Sequence, residues 1–315
     1  MIVRAMRAKP LAMITLVGLG VVGYAQAPTT APAAPSATPA AAGPSPTESG
    51  AAAGGAAVAS APAVAAAPAV ALDPEVDRIL TTLEQRDVRD LRARLTWQQR
   101  YVLGEEDDTL TKRGEIWYQK GTPTGRFLIH FREKIVGGRK DALDERHLFD
   151  GCWYAELQST TKTLVRREIR KPDDPTDPYK VGQGVFPLPF GQRKDDILRE
   201  FAVVRVAAGE GDPPETDHLR LTPREGTETG RTYKELDFWV ARGGAIAGLP
   251  VKVQVAKKDG TGKVNSLITI RFEEAQLDTG FSAGVFELKP PPGYEVFEEP
   301  LEREAPPPPG ALPRR

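Results

Sequence analysis

The chain has 315 residues, enough for one large domain or two small ones, and its 42 basic and 43 acidic side chains leave a net charge of −1. That balance gives no electrostatic footprint for nucleic acid or an acidic membrane surface, so neither is expected as a partner. The single cysteine, Cys152, cannot close an internal disulfide and says little about redox compartment.

Residues 1–25 have the layout of a secretory signal. Arg4, Arg7 and Lys9 form a basic start, Leu11 to Val22 is an apolar run, and Gly23-Tyr24-Ala25 places small residues at a cleavage position. The run is shorter than the ~20 residues of a membrane span. The expectation is therefore export to the periplasm, with the cut after Ala25. Residues 26–72 are almost entirely Ala, Pro, Gly, Ser and Thr. Such a segment cannot bury enough apolar surface to offset ordering entropy, and it reads as a disordered linker.

Order is expected from Asp73. Asp73 suits a helix N-cap and Pro74 the first helical position. Val76, Ile79, Leu80 and Leu83 then mark one apolar face of a helix ending near Asp87. From Leu91 the period becomes two: Leu91, Ala93, Leu95, Trp97, Tyr101 and Leu103 alternate with polar residues. Further strands are predicted over Leu110 to Tyr118, Arg126 to Phe131, His147 to Leu157 (turning at Asp150-Gly151) and Leu164 to Ile169. In the middle, the prolines of Val185-Phe186-Pro187-Leu188-Pro189-Phe190 forbid a central strand, and Lys194 to Phe201 reads as a helix.

The sheet resumes over Ala202 to Ala207, His218 to Thr222 and Glu235 to Val240. It continues in a hairpin from Leu249 to Phe272, turning at Asp259-Gly260 and Gly262. Val253, Val255, Ile268, Ile270 and Phe272 form its dry face and Lys252 and Gln254 lie on its wet one. The folded part, residues 73–299, is thus α+β: a single curved antiparallel sheet forming an unclosed, half-open β-barrel with helices as a lid. Residues 300–315 are a Pro-rich, disordered tail.

Several stretches together resemble the outer-membrane lipoprotein-sorting carrier LolA and its half-barrel relatives, among them the mycobacterial lipid carriers. They are Gly114-Glu115-Ile116-Trp117-Tyr118, Phe149-Asp150-Gly151-Cys152-Trp153, Gly248-Leu249-Pro250, Asp259-Gly260, and Phe286 with Pro292-Gly293-Tyr294-Glu295-Val296. The Val185-to-Phe201 segment resembles a version common in planctomycete sequences. The resemblance implies an apolar cavity that holds acyl chains, with an acylated lipoprotein or lipid as cargo. It also implies donor and acceptor proteins at the inner and outer membranes, and a monomer. The long Ala/Pro linker and Pro-rich tail depart from that family, and no lid-gating arginine is carried over from it.

Candidate lining residues are Leu95, Trp97, Tyr101, Ile116, Tyr118, Phe127, Ile129, Phe131, Trp153, Val253, Val255, Ile268 and Ile270, with Phe186, Leu188 and Phe190 as a lid or partner contact. The same side chains also serve as ordinary core, and composition does not separate the two uses. No cofactor or metal is expected, because His130, His147 and His218 are isolated in sequence. No serine sits in a G-x-S-x-G elbow, and the neighbouring carboxylates Glu273-Glu274 point to opposite faces of a strand. The sequence therefore points away from an enzyme. It points to an exported carrier of acyl chains, or alternatively to an envelope sensor or scaffold that uses the same half-barrel for regulated protein contact.

Overall fold

The computed structural model describes residues 72–102, 109–121, 124–174, 178–179, 181 and 192–301. The expected signal peptide, nearly all of the linker, the predicted strand residue Leu103, the lid residues Phe186, Leu188 and Phe190, and the tail beyond residue 301 lie outside the described residues.

Helix α1 (Pro74–Gln85) starts as its sequence dictates: the Asp73 carboxylate accepts from the Glu75 backbone N–H at 2.8 Å. It ends two residues before the expected Asp87, where Arg86 turns extended. Val76, Ile79, Leu80 and Leu83 are buried on one face. A second helix, α2 (Lys194–Glu200), packs against α1, and a short third one, α3 (Glu228–Thr232), begins under a Thr227 cap.

Among the described residues, twelve strands form one sheet. The first six are β1 (Asp90–Tyr101), β2 (Thr109–Gln119), β3 (Arg126–Val136), β4 (Arg139–Phe149), β5 (Trp153–Gln158) and β6 (Thr163–Glu168). The others are β7 (Phe201–Val206), β8 (Thr216–Pro223), β9 (Tyr233–Ala241), β10 (Pro250–Lys258), β11 (Val264–Leu277) and β12 (Glu295–Glu299). Their order is β12-β6-β5-β4-β3-β2-β1-β11-β10-β9-β8-β7, so among the described residues the sheet has two free edges and does not close into a barrel. The half-open α+β architecture is as the sequence predicts. One pairing differs: β12 runs parallel to β6, so the sheet is mixed rather than wholly antiparallel.

Three local differences have physical causes. The predicted break between Phe131 and His147 is a continuous hairpin turning at Gly137 and Gly138, both at positive φ. Its outer part carries Glu133, Lys134, Arg139 and Lys140, so paired backbone and charge pairing hold it where no apolar period exists. In the β10–β11 hairpin the positive φ falls on Gly262, while the Asp259 carboxylate accepts from the Thr261 and Lys263 backbone N–H groups. Lys252, expected on a wet face, is buried, with its ammonium 3.8 Å from the centre of the Trp239 ring. Burial pushes that ammonium's pKa down from the usual lysine value.

Gly114 sits where the β2–β3 register slips. A Cβ there would lie 2.0 Å from the His130 carbonyl oxygen and 2.8 Å from the Phe131 Cα, both backbone atoms that cannot swing aside. Gly114→Ala is expected to cost about 3 kcal/mol, at the upper end for overpacking, read as a lowered urea midpoint. A midpoint unchanged from the parent would show that β3 yields at this point.

Candidate functional site

Strand register gathers most of the predicted lining on one face. Leu95 stands opposite Phe272 and Gly114, and Trp97 opposite Ile270 and Lys112. Val253 and Val255 pair with Ile270 and Ile268 on one side and with Phe238 and Leu236 on the other. Across β2–β4, Ile116 faces Ile129, Tyr118 faces Phe127, Gly114 faces Phe131, and Phe127 faces Phe149. All of these predicted lining residues are buried.

Two predicted residues stand apart. Tyr101 shares the face but is 38% exposed at the end of β1. Trp153 faces the other way: alternation puts Tyr154, not Trp153, beside Phe149. Residues that the sequence reading did not single out complete the lining, chiefly Phe149, Leu219, Leu221, Leu236 and Phe238. Their alternation along β4, β8 and β9 was the available signal.

The roof over this face is made of helix and loop. Helix α1 and helix α2 cover it near β7. Near β2–β4 Tyr179 covers it, its ring against Tyr118, Phe127 and Phe149 at centroid distances of 6.0, 6.2 and 5.7 Å. The Tyr179 hydroxyl donates to the Gly125 carbonyl at 2.7 Å, and the Gln192 side chain bridges the Tyr179 carbonyl and the Val181 N–H.

The apolar rows end in charge on both sides. Toward β4, the Lys112 ammonium donates to both Glu145 oxygens at 2.8 Å, and it lies 5.7 and 5.8 Å from the Trp97 and Phe131 ring centres. His147 reaches Glu145 through Nε2 at 2.7 Å and Tyr154 through Nδ1 at 2.6 Å. All four residues are buried. The Glu145 carboxylate only accepts, so Nε2–H donates to it and Nδ1 accepts from the Tyr154 O–H; burial pushes that phenol's pKa far above its ordinary value. Burial alone would raise the Glu145 carboxyl. The hydrogen bond from His147, together with Lys112, outweighs it and holds the carboxyl below the usual value. Toward β8, the buried Asp217 pairs with Arg78, Arg205 and Arg242.

The opposite face has its own small core. Leu148, Ala155, Leu157 and Leu164 pack under Phe286, with Trp117, Leu128 and Tyr294 around them. A cleft of ≈ 290 Å³ lies there, bordered by Trp153, Phe286 and Arg166. Arg166 stacks 5.3 Å over Trp153 and pairs with Glu298 at 2.7 Å.

Among the described residues, no group of three or more His, Cys, Asp or Glu side chains is placed to hold a metal ion. No helix among them is long and apolar enough to cross a membrane. No family model and no curated protein matches the chain. Among solved structures it is similar to an uncharacterized conserved protein from Thermus thermophilus, at 12% identity and a TM-score of 0.41 over 71% of this chain and 99% of that one. It is also similar to a DUF1329 family protein from Desulfovibrio piger, at 15% identity and a TM-score of 0.36 over 67% and 95%. A LolA superfamily protein from Nitrosomonas europaea follows, at 9% identity and a TM-score of 0.33 over 67% and 97%. The fold described above rests on this chain's own strand order.

Proposed function

We propose that the protein is an exported, periplasmic carrier that holds the acyl chains of a lipid or lipoprotein against the apolar face of its sheet and passes them between envelope sites. The supporting observation is the kind of roof that face has. The sheet stays open at β7 and β12, and α1, α2 and the Tyr179 segment cover the lining instead of a second sheet.

Energies favour exchange over permanent storage. Fully burying one large apolar side chain is worth about 1.5–3 kcal/mol, so lifting the four buried side chains of α1 would cost roughly 6–12 kcal/mol. An acyl chain of a dozen or so methylenes gains about 10 kcal/mol on burial. The two quantities are close, so a chain can displace the roof and the roof can return.

In this reading residues 1–25 are removed on export. The domain of residues 73–299 acts as a monomer. Transfer of a fluorescent fatty acid from purified protein to vesicles tests the proposal. Saturable loading followed by transfer is expected; a correctly folded protein that neither loads the probe nor carries lipid through native mass spectrometry would sink it.

A second reading, a sensor or scaffold, draws on β12. This edge strand leaves Val296 and Phe297 exposed beside a backbone edge that is unpaired among the described residues, a surface suited to strand addition by a partner. A stable protein complex that forms with lipid-free protein would favour it.

A further inference from the structure

The apolar face ends beneath α1 in an uneven set of charges. Asp217 on β8 shares that face with Leu219 and Leu221, and its side chain is 4% exposed. Three guanidinium groups converge on it. Arg242, just past β9, reaches Oδ1 through Nε at 2.9 Å; Arg205 of β7 reaches Oδ1 at 3.4 Å; Arg78 of α1 reaches Oδ2 at 3.2 Å. Glu75 shares Arg78 at 3.0 Å.

Three cations therefore meet two carboxylates. Arg205 and Arg242 pair, among the described residues, with no acid except Asp217. A buried carboxylate needs one well-placed cation, and Arg78 already pins α1 to it. The other two arginines add like charge at a point where the fold does not require it. Their side chains are 40% and 49% exposed, so part of each guanidinium faces solvent at the rim of the roof. A guanidinium fork fits the paired oxygens of a phosphate or carboxylate.

We infer that Arg205 and Arg242 form a headgroup site for an anionic amphiphile, holding its phosphate or carboxylate at the rim while its tail enters beneath α1. The inference rests on the acyl-chain reading above and specifies the headgroup class for it. Asp217 then serves to space and orient the two forks, and the excess positive charge is relieved when the ligand arrives.

Titration with three probes below their micelle concentrations tests this: dodecyl phosphate, dodecyl maltoside with the same tail and no charge, and glycerol phosphate with the charge and no long tail. Dodecyl phosphate is expected to bind about tenfold tighter than the maltoside, as charge-assisted paired bonds do, and to lose that advantage in high salt. Arg205→Gln/Arg242→Gln is expected to bring dodecyl phosphate down to the maltoside's affinity while leaving the maltoside unchanged, which also shows that the variant is folded. If the double variant does not fold, Arg242→Lys keeps the charge and loses the fork, and should weaken dodecyl phosphate about threefold.

Equal affinity of the parent for dodecyl phosphate and the maltoside would overturn the headgroup site and leave the acyl-chain reading standing. Failure of both amphiphiles would overturn the acyl-chain reading. Glycerol phosphate binding as tightly as dodecyl phosphate, and lost in the double variant, would assign the arginines to a free phosphate ester and overturn the lipid headgroup.

Discussion

Glu145→Gln lowers the stability of the protein by about 3 kcal/mol, and Lys112→Met added to it returns most of that loss. The single change keeps the shape of the side chain and an oxygen to accept from His147, but it leaves the Lys112 ammonium buried without an opposing charge. The pair removes both charges together, and a thioether chain fits the space beside Trp97 and Phe131. Urea denaturation of the two variants beside the parent gives the comparison. A double variant as weak as the single one would mean that the ammonium's hydrogen bonds, rather than its uncompensated charge, hold this end of the lining.

The same pair sets a pH dependence. The folded state holds the Glu145 carboxyl below its ordinary value. Its contribution is therefore present above the unfolded pKa of about 4.3 and is lost as pH falls through the lower folded value. The parent should lose stability across that acid window by more than the double variant does. Equal acid sensitivity in the two proteins would place the acid-labile contribution elsewhere.

What the sequence could show of this molecule follows from which residues carry periodic signals. The β10–β11 hairpin is legible because Val253, Val255, Ile268 and Ile270 alternate, and α1 because its four apolar residues recur at helical spacing. The lining is legible for the same reason, since a strand that buries one face reports that face. The outer half of the β3–β4 hairpin is hidden because charged side chains lie on both of its faces and no apolar period marks it, so that paired backbone and ion pairs hold it. Trp153 is misplaced for a different reason: both faces of β5 are covered, so an apolar residue there does not say which side it fills.

The charged ends are the least legible. Lys112, Glu145, His147 and Tyr154 come from three strands, and Asp217 with its arginines comes from α1, β7, β8 and the segment after β9. No spacing along the chain announces either set. Each exists only once the register has brought its strands together.

The roof of the lining and the core of the outer face should respond differently to ligand, and a pair of truncations separates them. Leu80→Ala removes a fully buried side chain from the underside of α1, and Leu157→Ala removes one from the core beneath Phe286. Each should cost about 2–5 kcal/mol in the absence of lipid, seen as a lowered melting temperature. The missing side chain of Leu80 borders the proposed acyl-chain site, so a bound chain can fill the space it leaves. A ligand at a hundred times its dissociation constant adds about 2.7 kcal/mol to any folded state that binds it. Saturating dodecyl phosphate should accordingly raise the melting temperature of Leu80→Ala by more than it raises the parent's, because the loosened roof binds more tightly. Leu157→Ala should gain only as much as the parent, since its cavity opens on the far side of the sheet. Equal gains in the two variants would mean that α1 is ordinary core rather than a displaceable roof, and the apolar face would then be filled by the protein itself.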